Sequence, residues 1–473
     1  MKENNEVTAI ILAAGLGKRM KSPLPKILHP VAGRPMILHV IENCKAAGFT
    51  DIRLVAGFGL NSVKAVVEPL GVQIHVQAQQ LGTGDAVKSA DIESLSGDVL
   101  ILNGDHPLIE AEDLLAMVKE FRSSGVDLMV VTTILENPKS FGRVVRSGGQ
   151  IRAIVEAKDA TQATLNIREV NTGMYLIKAD VLQDELPRIR PANAQNEYYL
   201  TDLVGLCIEG HLKVGTFQGP KRVSWGVNSQ TELAEASRIK YRQKARRLME
   251  DGVILMDPRT TYVESTVRVE PGAVLYPHVM LRGNTRVGAM SSIEPHCYVV
   301  DTDIGNSVQI RAGSYLESAR IMNHATVGPY ARLRPETVIA EEAHVGNFVE
   351  MKKVQFGARS KAGHLTYLGD AEVGEDANVG CGTITCNYAV DRKKYKTVIG
   401  KRVFVGSDTQ FVAPVTVGDG AVIGSGSTIT KDVPPRALAV GRARQVVKEN
   451  YVKDEAAKGD SAGGNEAADK KSG

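Results

Sequence analysis

From Val263 onward the chain carries an aliphatic residue at every sixth position: Val263, Val269, Leu275, Leu281, Val287, Ile293 and Val299. After one slip the series resumes at Ile304, Ile310 and Leu316, again at Ile321, Val327, Leu333, Ile339 and Val345, and later at Val405, Phe411, Val417, Ile423 and Ile429. An α-helix returns a side chain to one face every 3.6 residues and a strand every second residue, so neither has a period of six. A parallel β-helix with three short faces does, because a coil of about eighteen residues points one aliphatic inward from each face. Small residues follow many of the aliphatics: Gly288, Gly305, Gly328, Gly346, Gly374, Gly418 and Gly424. Such a prism buries its own interior. Its flat outer faces invite packing against copies of itself, most simply as a trimer. Residues 252–450 are assigned to it.

The first half reads differently. "VTAIIL", "IRLVAG", "VLILNGD", "DLMVVTTIL" and "NTGMYLIK" are near-continuous apolar runs, as expected of strands buried on both faces. Helical stretches lie between them, such as "EDLLAMVKEFRSSG" with Gly125 placed to stop it. Residues 1–228 are therefore expected to form an α/β domain of Rossmann-like type, a mostly parallel sheet covered by helices. Residues 229–251 contain neither proline nor glycine, with Gly252 just after them, and predict one long connecting helix. Its cations Arg238, Lys240, Arg242, Lys244, Arg246 and Arg247 are read as a solvated face. Residues 451–473, without leucine after the opening "YV", are expected to be a disordered tail.

With 473 residues there is ample chain for two cores, and a net charge of +3 gives no argument for nucleic acid or a membrane surface. No apolar run reaches the ~18 residues of a membrane span, so no membrane insertion is expected. Five scattered cysteines (Cys44, Cys207, Cys297, Cys381, Cys386) read as free thiols of a reducing compartment. The start loosely imitates a signal peptide but carries Glu3 and Glu6, and the expected location is the cytoplasm.

Two groups in the α/β half sit where open sheets bind ligands, at the carboxyl ends of strands. "ILAAGLGKRMKSPLPK", Ile11 to Lys26, has the glycines of a phosphate loop but fits neither common template. Arg19 follows Gly17-Lys18 where a P-loop needs Ser or Thr, and Met20 stands where a dinucleotide loop needs glycine. In "LNGDHP", Asp105 ends a buried strand, which is costly unless it is paired or bound to a metal. A carboxylate, a magnesium ion and cations suit phosphoryl-type transfer. A plain turn for the loop and a helix N-cap for Asp105 are the bland alternatives. His106 is read as a spectator.

Together "LAAGLGKRM" and "LPK" resemble the nucleotidyltransferases that make nucleoside-diphosphate sugars. "QLGTGDA" (80–86), "FGRVV" (141–145), "IVEAKDA" (154–160), "NTGMY" (171–175) and "GVNS" (226–229) resemble their uridylyltransferase branch. By that resemblance Leu12, Ala13, Ala14, Gly15 and Arg19 would hold the triphosphate of UTP, with Arg19 facing the leaving pyrophosphate. Lys26 would bind phosphate. Gln77, Gly82 and Thr83 would hold uracil, and Gly142, Glu156 and Asn171 the amino sugar. Asp105 and Asn228 would ligate Mg2+. Asn103 stands where the family usually has tyrosine, and is kept among the nucleotide-sugar contacts.

In the prism, most residues are structural, and the exceptions break the repeat. "RLRPET" carries Arg334, "VEMKKV" carries Lys352, "KAGHLTYLGDAEVG" carries His364 and Tyr367, and "ANVGCGTITCNYAV" carries Asn378, Asn387 and Tyr388. One histidine amid cations and amides suits a general base beside a phosphate-bearing amine that attacks a thioester. The alternative is a histidine that only bonds a turn, beside solvated lysines. Hexapeptide prisms are similar to acyltransferases that use acetyl-CoA. Their pairing with a uridylyltransferase domain resembles a bacterial family of bifunctional enzymes that acetylate glucosamine-1-phosphate and then uridylylate the product. The resemblance, covering about residues 7–448, implies a left-handed β-helix and a homotrimer. His364 would be the base, and Arg334, Lys352, Tyr367 and Asn378 would hold glucosamine-1-phosphate. Cys381, Asn387, Tyr388, Ser407, Ser425 and Arg442 would line the acetyl-CoA site. A lysine is also expected there; the loop "NYAVDRKKYKT" is one residue longer than usual, and Lys394 and Lys393 both stand as candidates. Two rival readings are a single-activity pyrophosphorylase with a regulatory β-helix, and a non-enzymatic nucleotide-exchange scaffold.

Overall fold

The computed structural model describes residues 7–452. The expected tail lies, from residue 453 onward, outside the described residues.

The α/β half is built on a sheet whose strands run, edge to edge, Val214–Gln218, Leu128–Ile134, Glu169–Lys178, Asp98–Asn103, Val7–Ala13, Asp51–Ala56 and Gln73–Val76. All are parallel except Glu169–Lys178, which runs against both neighbours. A ribbon of Arg143–Ser147 and Gln150–Val155 hangs from it through the pair Val170–Arg143. The apolar runs are continuous because both faces are covered: Ala9 and Ile11 join the core on one side, Ile10 the core on the other. Register places Leu12 opposite Asn103, and the Gly104 N–H donates to Leu12 O at 2.9 Å. The glycine loop and the Asp105 loop therefore leave the sheet side by side.

The connecting helix spans Gln230–Glu250. Ser229 caps it, its Oγ accepting from Glu232 N at 3.3 Å, while Glu232 Oε2 accepts from Asn228 N at 2.8 Å. Ala236 is buried in the α/β core, Ala245 and Leu248 in the β-helix core, so the helix is a seam between the two. That corrects the expectation of a solvated basic face. Arg238, Arg242, Arg246 and Arg247 are exposed, but Lys240 and Lys244 are half-buried. Burial lowers the pKa of both ammonium groups. A helix lodged between two bodies has no wholly free side, and lysine stems lie along the packed surface. Lys244 Nζ ends at Val267 O, 2.7 Å away.

The second half is the anticipated β-helix, running from Ile254–Leu255 to Leu438–Ala439 in coils of three short parallel strands. It ends earlier than the expected boundary of 450, since no strand follows Ala439 among the described residues. Coil-to-coil pairing is offset by 18 residues at Met280–Tyr298 and by 17 at Arg286–Asp303, which is the slip seen in the sequence. The six-spaced aliphatics are all buried in one continuous core. In the interval where the period lapses, Met351, Phe356, Ala362, Leu368, Val373 and Val379 fill the interior. The small residues mark coil corners. A Cβ on Gly374 would lie 2.6 Å from the carbonyl carbon of Gly400 in the next coil, and one on Gly346 would strike Gly363 O at 1.8 Å.

Candidate active sites

The glycine loop, the Asp105 loop and the segment Gln77–Thr83 enclose a cavity of about 300 Å³, lined among others by Leu12, Ala13, Ala14, Gly15, Lys26, Gln77, Gly82, Thr83, Asn103 and Asp105. Lys26 is at its centre. Its Nζ pairs with the Asp105 carboxylate and donates to Asn228 Oδ1 at 2.9 Å. Gly17 has φ +60, and a Cβ there would press on Lys26 Cβ at 2.7 Å, so the loop needs glycine for Lys26 to reach inward. Burial works against the Asp105 charge, but Lys26, His106 and hydrogen bonds outweigh it, and its pKa is lowered. His106 is more than a spectator: it is buried, its Nδ1 bonds Val223 O at 2.9 Å, and its Nε2 lies 3.6 Å from Asp105 Oδ1.

Gln77 Nε2 donates to Gly82 O at 3.1 Å and to Asp85 Oδ2 at 2.7 Å, tying down one wall. Gly82, with φ +119, lets Tyr198 approach, since a Cβ would meet Tyr198 O at 2.6 Å. Gln80 Nε2 holds Ala14 O at 2.9 Å, and Gln80 and Glu197 also line the cavity. Neither was picked out from sequence, although Gln80 opens a quoted motif. Asn103 Nδ2 donates to Gly173 O at 3.3 Å, over a glycine with φ +79. Glu156, Gly142 and Asn171 lie on the neighbouring ribbon and strand. A Cβ on Gly142 would meet Glu156 Oε1 at 3.3 Å, and Asn171 Nδ2 donates to Tyr175 OH at 2.7 Å. Burial raises the Glu156 pKa, Asp159 and Asp202 add repulsion, and a Thr201 hydrogen bond opposes them. Arg19 is exposed on the turn Lys18–Met20 and is not brought into the cavity wall.

The second cluster lies on the β-helix near its long loop. His364 is exposed, and its Nδ1 lies 3.0 Å from Asn347 Oδ1, one coil earlier. Arg334 donates to Glu350 Oε1 at 3.0 Å. Lys352 pairs in register with Gly369, next to Tyr367, and Tyr367 pairs with Glu350 and Ile384. The neighbouring Lys394, followed by Arg334, lowers the Lys352 pKa. Lys394 thus lies beside Lys352, and the backbones of both Lys393 and Lys394 take part in the loop hairpin. Three cations crowded together favour an anion between them. Asn387 is buried and its amide donates to Asp370. Asn378 pairs with Lys361 and Phe404. Ser407 and Ser425 stack over Gly380 and Gly406, while Cys381 is half-buried, and Tyr388 and Arg442 are exposed. Asn347, Glu350 and Asp370 were missed. The coil offset was the signal that could have placed Asn347 against His364.

An anion-ready cavity at the strand ends of an open α/β sheet, joined to a hexapeptide prism bearing an exposed imidazole among cations, defines a two-site transferase. Residues 9–163 match the MobA-like NTP transferase domain family, and residues 396–431 match the bacterial transferase hexapeptide (six repeats) family. The bifunctional protein GlmU of Bdellovibrio bacteriovorus is 61% identical over 445 residues, covering 94% of this chain and 97% of that protein. Those of Trichlorobacter lovleyi and Acinetobacter baumannii are 46% and 42% identical, covering 94% of this chain and 97% and 98% of theirs. The chain belongs to the GlmU family of bifunctional proteins. It is a uridylyltransferase and an N-acetyltransferase of UDP-N-acetylglucosamine synthesis, acting on small molecules with acetyl-CoA as acetyl donor. Among the described residues no helix is long and apolar enough to cross a membrane.

Proposed function

We propose that acetylation comes first, at His364, and that uridylylation follows in the Lys26–Asp105 cavity. The observation that carries the residue roles is the separate convergence of the two clusters, each with the charge its substrate demands. In the β-helix, Arg334, Lys352, Tyr367 and Asn378 hold the sugar phosphate and aim its amine at the thioester. The amine nitrogen attacks the acetyl carbonyl carbon, His364 Nε2 takes the amine proton, and the C–S bond breaks to release coenzyme A. Cys381, Asn387, Tyr388, Lys394, Ser407, Ser425 and Arg442 line the acetyl-CoA side.

In the α/β domain a phosphate oxygen of N-acetylglucosamine-1-phosphate attacks the α-phosphorus of UTP and pyrophosphate leaves. Leu12, Ala13, Ala14 and Gly15 present the loop backbone to the triphosphate, and Arg19 and Lys26 neutralise charge. Gln77, Gly82 and Thr83 hold the base; Asn103, Gly142, Glu156 and Asn171 hold the sugar. The donors that meet at Lys26 are a carboxylate and an amide oxygen, hard ligands that suit Mg2+. Asp105 and Asn228 would hold that ion, with phosphate oxygens completing its shell. When bound it supplies Lewis-acid charge at the reacting phosphates.

The functional unit is a homotrimer, and the enzyme is cytoplasmic. Support for the trimer comes from the β-helix surface, where Tyr330, Phe348 and Leu365 are more than half exposed on one corner and the first two stack at 5.7 Å. The presence of His364 with Lys352, Tyr367 and Asn378 argues against a merely regulatory β-helix. The presence of Lys26, Asp105 and Asn228 argues against an inert scaffold.

The test is a pair of variants assayed for both reactions. His364→Ala should lose acetyl transfer and keep uridylyl transfer, and Asp105→Ala should do the reverse. Loss of both activities in one folded variant would refute separate sites.

A further inference from the structure

His364 belongs to the strand Lys361–His364, which stacks in parallel on His344–Asn347 with His364 directly opposite Asn347. The offset of 17 residues is one coil, so the two side chains leave the same face at the same height. Asn347 Oδ1 and His364 Nδ1 are 3.0 Å apart. Asn347 is itself held against the next coil: its carbonyl oxygen accepts from Leu365 N at 3.0 Å. A small residue precedes it because a Cβ on Gly346 would strike Gly363 O, so the two coils are in close contact just where this pair sits.

We propose that Asn347 is a positioning residue that fixes the tautomer of His364. An amide oxygen can only accept, so Nδ1 must carry the hydrogen. The second nitrogen, Nε2, is then the one with a free lone pair, on an exposed side chain. Without that partner the ring would rotate about its side-chain bonds and hold its hydrogen on either nitrogen. Only the ring with hydrogen on Nδ1 can take a proton from the attacking amine at Nε2. The ring hydrogen bond to a fixed acceptor plays the part that a carboxylate plays in a hydrolytic triad, without a permanent charge beside the imidazole. The titratable groups near it include His344, whose pKa is lowered by burial and by Arg311, Lys361 and His364 itself.

This inference rests on the reading of His364 as the base, and the experiment separates the two. Asn347→Leu and Asn347→Asp are assayed beside His364→Ala in the full-length enzyme, with uridylyl transfer as the internal control for folding. Asn347→Leu should lower kcat for acetyl transfer by about 10- to 100-fold, as loss of an orienting partner does elsewhere, with KM for glucosamine-1-phosphate within about twofold. Asn347→Asp keeps an acceptor in place. It should retain kcat to within about threefold and move the acid limb of the pH–rate profile upward, because a carboxylate favours the imidazolium. Wild-type kcat in Asn347→Leu overturns the proposal. So does an Asn347→Asp variant as inactive as Asn347→Leu, which would mean that the amide donates to Nδ1 instead. Acetyl transfer surviving in His364→Ala overturns the base reading and the positioning role with it.

Discussion

Lys26 Nζ donates to Asn228 Oδ1 at 2.9 Å across a sequence separation of 202 residues, and the same ammonium pairs with Asp105. One cation thus joins the first loop of the domain, the strand end at its centre and the residue just before the cap of the connecting helix. Replacing it leaves a buried carboxylate without its partner. Lys26→Ala is expected to lower kcat for uridylyl transfer by about 10²- to 10³-fold, the range for losing a charge-stabilising donor. Acetyl transfer should stay within about twofold. Steady-state assays of both reactions on one preparation check this; equal loss of the two would mean a folding defect.

Chelation separates the sites in another way. Asp105 and Asn228 offer one carboxylate and one amide oxygen, too few to hold a divalent ion tightly without substrate phosphates. EDTA should abolish uridylyl transfer and leave acetyl transfer at its full rate, and added Mg2+ should restore the first. Uridylyl transfer that persists in excess chelator would remove the metal from the proposal.

Glu156 has a cost for stability. Burial, followed by Asp159 and Asp202, raises its pKa above the unfolded value. A carboxyl whose folded pKa is raised contributes stability below its unfolded pKa, and that contribution is lost as pH rises through the folded value. Above the unfolded pKa, keeping this carboxyl in its site therefore works against folding. Glu156→Gln should raise the α/β melting temperature by a few degrees at pH 7.5, with the gain shrinking toward pH 4, while uridylyl transfer falls. Calorimetry at several pH values checks it, and a pH-independent change in Tm would sink the electrostatic account.

The β-helix corners predict a packing defect. Gly346→Ala places a methyl against Gly363 O, with no flexible side chain to move aside. The expected cost is about 1–3 kcal/mol, seen as a lower urea midpoint for the β-helix transition. Unchanged denaturation would show that the coils separate more easily than the stacking implies.

The exposed corner predicts assembly. Tyr330→Asp puts a charge on the stacked pair Tyr330–Phe348. Sedimentation should show loss of the trimer, and acetyl transfer should fall more than tenfold while uridylyl transfer is kept. A variant that remains trimeric would move the interface to another face.

Much of this architecture could be read from the chain, because periodicity is a local property. A six-residue repeat admits few shapes, and every aliphatic from Val263 to Ile429 named for it is buried. Continuous apolar strands likewise announced a sheet covered on both sides, and the cavity-lining residues of the first loop and of Gln77–Thr83 came from contiguous motifs. The misjudgements arose where two distant segments meet. Lys240 and Lys244 looked solvated because a sequence does not show that their helix lies between two cores. The contacts of His106 with Val223 and Asp105 likewise form only in the folded domain. The approach of Lys394 to Lys352 depends on a hairpin that closes only in the folded chain. The contact of Asn347 with His364 lay between these cases: the repeat set both on one face, but the slip from 18 to 17 residues per coil decided that they stand opposite each other. Residue type and spacing were settled by the chain alone. Which charge meets which partner was settled by tertiary structure, since hydrogen bonds act over about 3 Å and the partners here come from separate coils, strands and domains.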